Sequence, residues 1–190
     1  WSSDVCSSRS YLQLLDNGGR TCYYTNMNKK ELYTELVRQL NNNKCVVFDL
    51  DDTLCAPNWD IHWGQSDKFE PIQPMVDLAH MLKKHGYDIV IATARPDHNL
   101  KPTLKWLEKY FPEWNALYMS NADIFSKAED TKEQQLLAIQ EHWNIEFWCD
   151  DSPANCEVVS AHGVPCLRPT RNDEYWASRG YLPKVRETAH

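Results

Sequence analysis

The chain has 190 residues, enough for one domain with a well-buried core and modest additions. Hydrophobic residues make up 42% and charged residues 25%, an ordinary globular balance, and no apolar run approaches the roughly 20 residues that cross a bilayer. A formal charge of −7 argues against a broad electrostatic grip on nucleic acid and leaves room only for a local basic patch.

Residues 1–26 are rich in Ser, Asn, Gly and Thr and show no sustained period, so they are read as an N-terminal extension of unknown role. The first residues carry neither the basic patch nor the apolar stretch of a signal peptide. A domain is expected over 27–190. Leu32, Leu36, Val37 and Leu40 have helical spacing, which Asn41, Asn42 and Asn43 end. Cys45-Val-Val-Phe-Asp49 is a short apolar run with the pattern of a fully buried strand. Residues 71–85 predict a helix, with Pro74 in its first turn and Gly86 at a left-handed cap.

A second buried strand runs over 87–93. Pro102 opens a helix through Tyr110, and Ala116–Met119 reads as a short strand. A helix over about 131–143 leads into the strand Glu146–Asp150. Ser152 and Pro153 start another helix, which Gly163 closes before a last strand at Val164–Leu167. Strands alternating with helices predict an α/β fold, a parallel sheet with helices on both faces.

In such a sheet, ligands bind at the carboxyl ends of the strands. Here those ends read Asp49-Leu-Asp51-Asp52-Thr53, Thr93-Ala-Arg95 and Asp150-Asp151-Ser152. The pattern suits phosphoryl transfer. Asp49 is placed to attack phosphorus and form an aspartyl-phosphate. Asp51 is placed to protonate the leaving oxygen and later accept a proton from water. Carboxylates this dense call for a hard cation with oxygen ligands, Mg²⁺, held by Asp49, Asp150 and the Asp51 backbone carbonyl, with Asp151 in support. Thr93, Lys132 and Arg95 supply donors and positive charge to the phosphoryl oxygens, with Thr53 and Asp52 beside them. Lys127 also precedes the third strand and competes with Lys132 for its role.

Asp49-x-Asp51-x-Thr53, Thr93, Lys132 and Asp150-Asp151 resemble, in order, the four motifs of the haloacid dehalogenase (HAD) superfamily of phosphatases. The resemblance covers residues 44–168 and implies a Rossmann-like core, Mg²⁺ and phosphatase activity. Within the superfamily, Pro74–Arg95, Thr103-Leu-Lys-Trp-Leu-Glu and Leu117-Tyr-Met are similar to the 3′-phosphatase domain of phage polynucleotide kinase. That likeness implies a nucleotide or nucleic-acid end as substrate, Arg95 on its phosphate, and an acidic residue (Glu129 or Asp130) in support. No Gly-x-x-x-x-Gly-Lys-Ser/Thr run occurs, so no kinase half is expected in these residues. Trp106-Leu-Glu-Lys-Tyr-Phe is also similar to 5′(3′)-deoxyribonucleotidases. A small-metabolite or protein phosphatase and a non-catalytic module on the same fold are the competing readings.

The stretch Cys55–Glu70 is too short for a cap domain and fits at most a flap, with Trp59, Trp63 and Phe69 either packing it or stacking on a base. The seven cysteines are dispersed, with no Cys-x-x-Cys pair, which argues against a zinc site and against a disulfide framework. Cys45 and Cys149 are expected as buried thiols. An intracellular, cytoplasmic setting without membrane attachment follows as an expectation.

Overall fold

The computed structural model describes residues 11–15, 21–25, 43–58, 60–121 and 128–169. The helix expected over Leu32–Leu40, together with Trp59, Lys127 and the segment after Pro169, lies outside these residues.

In chain order the strands are β1 (Tyr11–Leu15), β2 (Thr21–Thr25), β3 (Lys44–Phe48), β4 (Cys55–Ala56), β5 (Glu70–Pro71), β6 (Asp88–Pro96), β7 (Ala116–Ser120), β8 (Asn144–Cys149) and β9 (Cys166–Leu167). The helices are α1 (Gln73–Lys84), α2 (Leu100–Tyr110), α3 (Ala128–Gln140) and α4 (Pro153–Ala161). The main sheet has the order β1-β2-β7-β6-β3-β8-β9. Its five strands from β7 to β9 are parallel, and β2 joins β7 antiparallel, pairing Cys22 with Tyr118. Residues 1–26 show no sustained period, yet β1 and β2 lie among them. The run Asn17-Gly18-Gly19 between two β-prone stretches is the sequence signal for that pairing, and it has no period of its own.

The buried runs work because side chains alternate faces with a period of two. Val46, Phe48, Ile89 and Ile91 pack with Val76 and Leu82 of α1 and Trp106 and Leu107 of α2. Cys45, Val47, Val90 and Ala92 point the other way, onto Leu136 and Ile139 of α3 and Val159 of α4. Both faces are therefore covered, as the absence of polar alternation in β3 and β6 requires.

Helix limits move where tertiary contacts intervene. α2 starts at Leu100, two residues before Pro102. The missing N–H of Pro102 falls among the first four, which have no partner within the helix, so the extension loses nothing. α3 ends at Gln140, and just beyond it Trp143 donates Nε1 to buried Asp88 Oδ2, 3.1 Å away. Asn115 Nδ2 donates to Asp88 Oδ1 at 2.8 Å, so Asp88 ties the amino-terminal edge of the sheet together.

Between β3 and α1 the chain forms only a flap. The two-residue strands β4 and β5 pair antiparallel and enclose a 3-10 turn, Trp63–Lys68. Trp106 Nε1 on α2 donates to Phe69 O at 2.8 Å, pinning the flap to the core. Among the described residues, no helix is long and apolar enough to cross a membrane.

Gly86 closes α1 at φ +89° with no atom within 4 Å of where a Cβ would lie. Substituting Gly86→Ala is expected to cost about 1–2 kcal/mol through backbone strain alone. Thermal unfolding should then shift down by a few degrees. A variant as stable as the wild type would show that the left-handed turn is not required.

Candidate active site

The strand order sets the site. From central β3 the chain moves outward to β6 and β7, then crosses back to β8 and β9, so the topological switch point is the carboxyl end of β3. Asp49 is the next residue. Its backbone N–H donates to Cys149 O at 2.8 Å, fixing it beside the end of β8, where Asp150 and Asp151 follow. One carboxylate oxygen from each of Asp49, Asp150 and Asp151 lies within 4.8 Å of the other two, all three residues buried.

Lys132 enters from the first half of α3 with a side chain only 1% exposed. Its Nζ is 2.5 Å from Asp49 Oδ1, 3.2 Å from Asp150 Oδ2 and 2.5 Å from Ala92 O. Burial works against the ammonium, but Asp150 and Asp49 outweigh it and hold Lys132 above the ordinary lysine value. Burial also pushes the Asp49 carboxyl well above the usual carboxylate range, with the Lys132 charge pulling the other way. Asp130, on the same helix, is exposed.

Asp150 is held from several sides. Ser152 N and Asn155 Nδ2 donate to its Oδ1 at 3.1 and 2.9 Å, both from the start of α4, where Ser152 caps the helix. Thr53 Oγ1 accepts from Asp151 N at 3.1 Å, joining the loop after β3 to the end of β8. Thr93 is buried, its Oγ1 accepting from Arg95 N at 3.1 Å and its carbonyl from Gln135 Nε2 at 2.8 Å. Asp52 sits at φ +58°, in the tight turn where its N–H donates to Cys55 O.

Asp51 takes no part in the carboxylate triad. Arg95 grips it with a bidentate fork, Nη2 to Oδ1 at 2.6 Å and Nε to Oδ2 at 2.8 Å. The Arg95 side chain is 2% exposed, and burial works against its charge while the Asp51 carboxylate keeps it above the ordinary arginine value. The guanidinium lies 5.8 Å from the Trp63 ring centroid and 5.6 Å from that of Phe69. Phe69 is core, and Trp63 packs edge-on against it while remaining 37% exposed at the flap.

All the strand-end residues singled out from sequence therefore meet at one edge of the sheet. Ser66, Asn155 and Gln135 belong to the same edge and carry no sequence signal, because their partners lie on other elements; Thr103 joins them through Arg95.

The fold and this edge define a HAD-type phosphatase. Residues 43–173 match the family described as the polynucleotide kinase PNKP phosphatase domain, and the chain belongs to that family. A chain from the Pnkp1/Rnl/Hen1 complex superposes with a TM-score of 0.64 at 25% identity, covering 67% of this chain and 46% of that one. Another, from the Pnkp1/Rnl/Hen1 RNA repair complex, gives 0.64 at 23% identity, over 77% of this chain and 45% of that one. The present chain thus spans less than half the length of either. The D,D-heptose 1,7-bisphosphate phosphatase of B. bronchiseptica, in complex with magnesium and phosphate, shares the fold at TM-score 0.55 and 12% identity, covering 74% of this chain and 89% of that one. No curated protein sequence matches the chain.

Removing the Lys132 charge leaves Asp49 and Asp150 buried without their shared cation. Lys132→Met is expected to destabilise the fold by about 3–5 kcal/mol in EDTA, lowering thermal unfolding by roughly 10 °C. Calorimetry in EDTA showing an unshifted transition would mean that Lys132 does not neutralise this cluster.

Proposed function

We propose that this chain is a Mg²⁺-dependent phosphomonoester hydrolase that works through an aspartyl-phosphate on Asp49, with the phosphatase domain in residues 27–190 and β1 and β2 extending its sheet from before those bounds. Its substrate class is a nucleic-acid end or nucleotide carrying a 3′-phosphate. The observation that carries the reading is the meeting of Asp49, Lys132, Asp150 and Asp151 at the carboxyl end of β3.

Asp49 Oδ1 is engaged by Lys132, so Oδ2 is the atom that attacks phosphorus. The phosphorus–oxygen bond to the leaving group breaks as Asp51 protonates that oxygen. The proton is assigned to Asp51 Oδ2, because Oδ1 already accepts from both Arg95 Nη2 and Cys55 Sγ, filling its two lone pairs. Asp51 then takes a proton from water, whose oxygen attacks the aspartyl-phosphate and releases inorganic phosphate. Lys132 holds Asp49 in place throughout and offers positive charge toward the phosphoryl oxygens. Thr93 supports it from the end of β6, and Thr53 keeps the loop after β3 in register with Asp151.

The donor set fits Mg²⁺: three buried carboxylates converge, all their ligand atoms are oxygen, and Asp49 and Asp150 share one ammonium between them. When bound, the ion neutralises charge on the transferring phosphoryl group. Asp49, Asp150 and Asp151 would hold it, with the Asp51 backbone carbonyl as a further oxygen.

Two observations support a large substrate over a small metabolite. Among the described residues, the stretch between β3 and α1 forms only a two-stranded flap and no cap domain, which leaves room for a polymer end. Trp63 remains partly exposed on that flap, where a base can stack. The membership in the polynucleotide kinase phosphatase-domain family points the same way.

Phosphate release from oligonucleotides phosphorylated at the 3′ or the 5′ end, from 3′- and 5′-mononucleotides and from an aryl phosphate tests the reading. Release should require Mg²⁺, stop in EDTA, favour the 3′-phosphorylated oligonucleotide and fall roughly a thousandfold or more in Asp49→Asn. Unchanged turnover in Asp49→Asn would remove the nucleophile assignment, and a preference for free mononucleotides would replace the substrate class.

A further inference from the structure

Sequence resemblance places Arg95 on the substrate phosphate, yet every N–H of its guanidinium already has a protein acceptor. Nε donates to Asp51 Oδ2 at 2.8 Å, and Nη2 donates to Asp51 Oδ1 at 2.6 Å and to Cys55 Sγ at 3.3 Å. Nη1 donates to Ser66 Oγ and Thr103 Oγ1, both at 3.1 Å. An arginine has five donors, and these contacts use all five. None remains for a phosphoryl oxygen unless an internal bond breaks.

The surroundings are built to keep it so. In the flap from His62 to Lys68, Ser66 is the one buried residue, and its hydroxyl points at Nη1. Phe69, the next residue turned inward, stacks near the guanidinium and is tied to α2 through Trp106. Thr103 meets the same nitrogen from the first turn of α2. The fork that aims Asp51 is therefore fixed at the junction of flap and helix.

We propose that Arg95 and Ser66 are positioning residues for Asp51, and that the flap sets the aim of the proton-transferring carboxyl instead of contributing to phosphate binding. The inference rests on Asp51 as the acid and base of the reaction proposed above. Without the Ser66 hydroxyl, one N–H of a buried cation loses its acceptor, and a buried unsatisfied charged donor is costly. The guanidinium then turns toward another acceptor and carries the Asp51 carboxylate with it. The defect appears only where proton donation limits the reaction. A nitrophenolate leaves with little help, whereas an alkoxide needs the proton.

The test measures kcat/KM, with Mg²⁺, across aryl phosphates of rising leaving-group pKa and an alkyl phosphate, together with inhibition by inorganic phosphate. Ser66→Ala is expected to lose about tenfold on the alkyl phosphate and less than about twofold on nitrophenyl phosphate, with phosphate inhibition unchanged. Ser66→Cys keeps the side-chain volume but is a weaker acceptor, and it carries the same expectation if the alanine variant does not fold. Added to Asp51→Asn, neither change should steepen the leaving-group dependence further. Equal losses along the series, or weakened inhibition by phosphate, would overturn the proposal and return this group to phosphate binding. If Asp51→Asn itself shows no steeper leaving-group dependence than wild type, the acid–base role of Asp51 fails and the positioning role fails with it. If Asp51→Asn is steeper and Ser66→Ala is not, only the positioning role fails.

Discussion

Burying several carboxylates at one sheet edge is the constraint that the remaining architecture serves. An ionised carboxylate taken out of water is costly unless it gains a cation or several hydrogen bonds. Asp49, Asp51, Asp150 and Asp151 all reach the carboxyl end of β3, and two side chains from opposite faces divide the compensation. Lys132 comes from α3, on the face packed by Val47 and Ala92, and serves Asp49 and Asp150. Arg95 comes from the end of β6 toward the face covered by α2 and the flap, and serves Asp51. Carboxylates two positions apart in sequence thereby acquire different partners, the division that the proposed roles of nucleophile and proton carrier require.

Much of this was legible in the chain itself, for a physical reason. Strands buried on both faces must be apolar throughout, so polar residues can appear only where the strand stops. Cys45–Phe48 followed by Asp49, and Phe147–Cys149 followed by Asp150, therefore mark the site edge directly. Gly86 and Gly163 were readable for a similar reason, since both turns require positive φ, here +89° and +80°. Ser152 with Pro153 announced α4 through the orphan donors of a helix start, and Ser152 Oγ accepts from Asn155 N as that pattern requires.

What stayed illegible is a matter of pairing. Nothing local distinguishes Ser66 from any loop serine, or Thr103 from any helix threonine, because each acquires its meaning from Arg95, 29 and 8 residues away. The same holds for Arg95, whose motif position suggests a phosphate contact while its donors are taken up by groups that no spacing rule connects. The end of α3 was misplaced for a related reason. Helical periodicity runs past Gln140, but the chain turns out of the helix there, and Trp143 anchors the turn to Asp88 through a pairing no local pattern shows.

The two halves of the site also differ in how complete they are without ligands. Around Asp51 every Arg95 donor is satisfied, and Trp106 serves both the core and the flap carbonyl that borders the guanidinium. On the role proposed for Asp51, that half is preorganised, and aligning its carboxyl requires no reorganisation. Around Asp49 three carboxylates converge, with one ammonium shared by Asp49 and Asp150, an arrangement suited to receiving a cation. Where only a flap stands between β3 and α1, among the described residues, no closure of a domain inserted there assembles the parts. The hydrogen-bonded flap–helix junction around Arg95 provides that order in advance for Asp51.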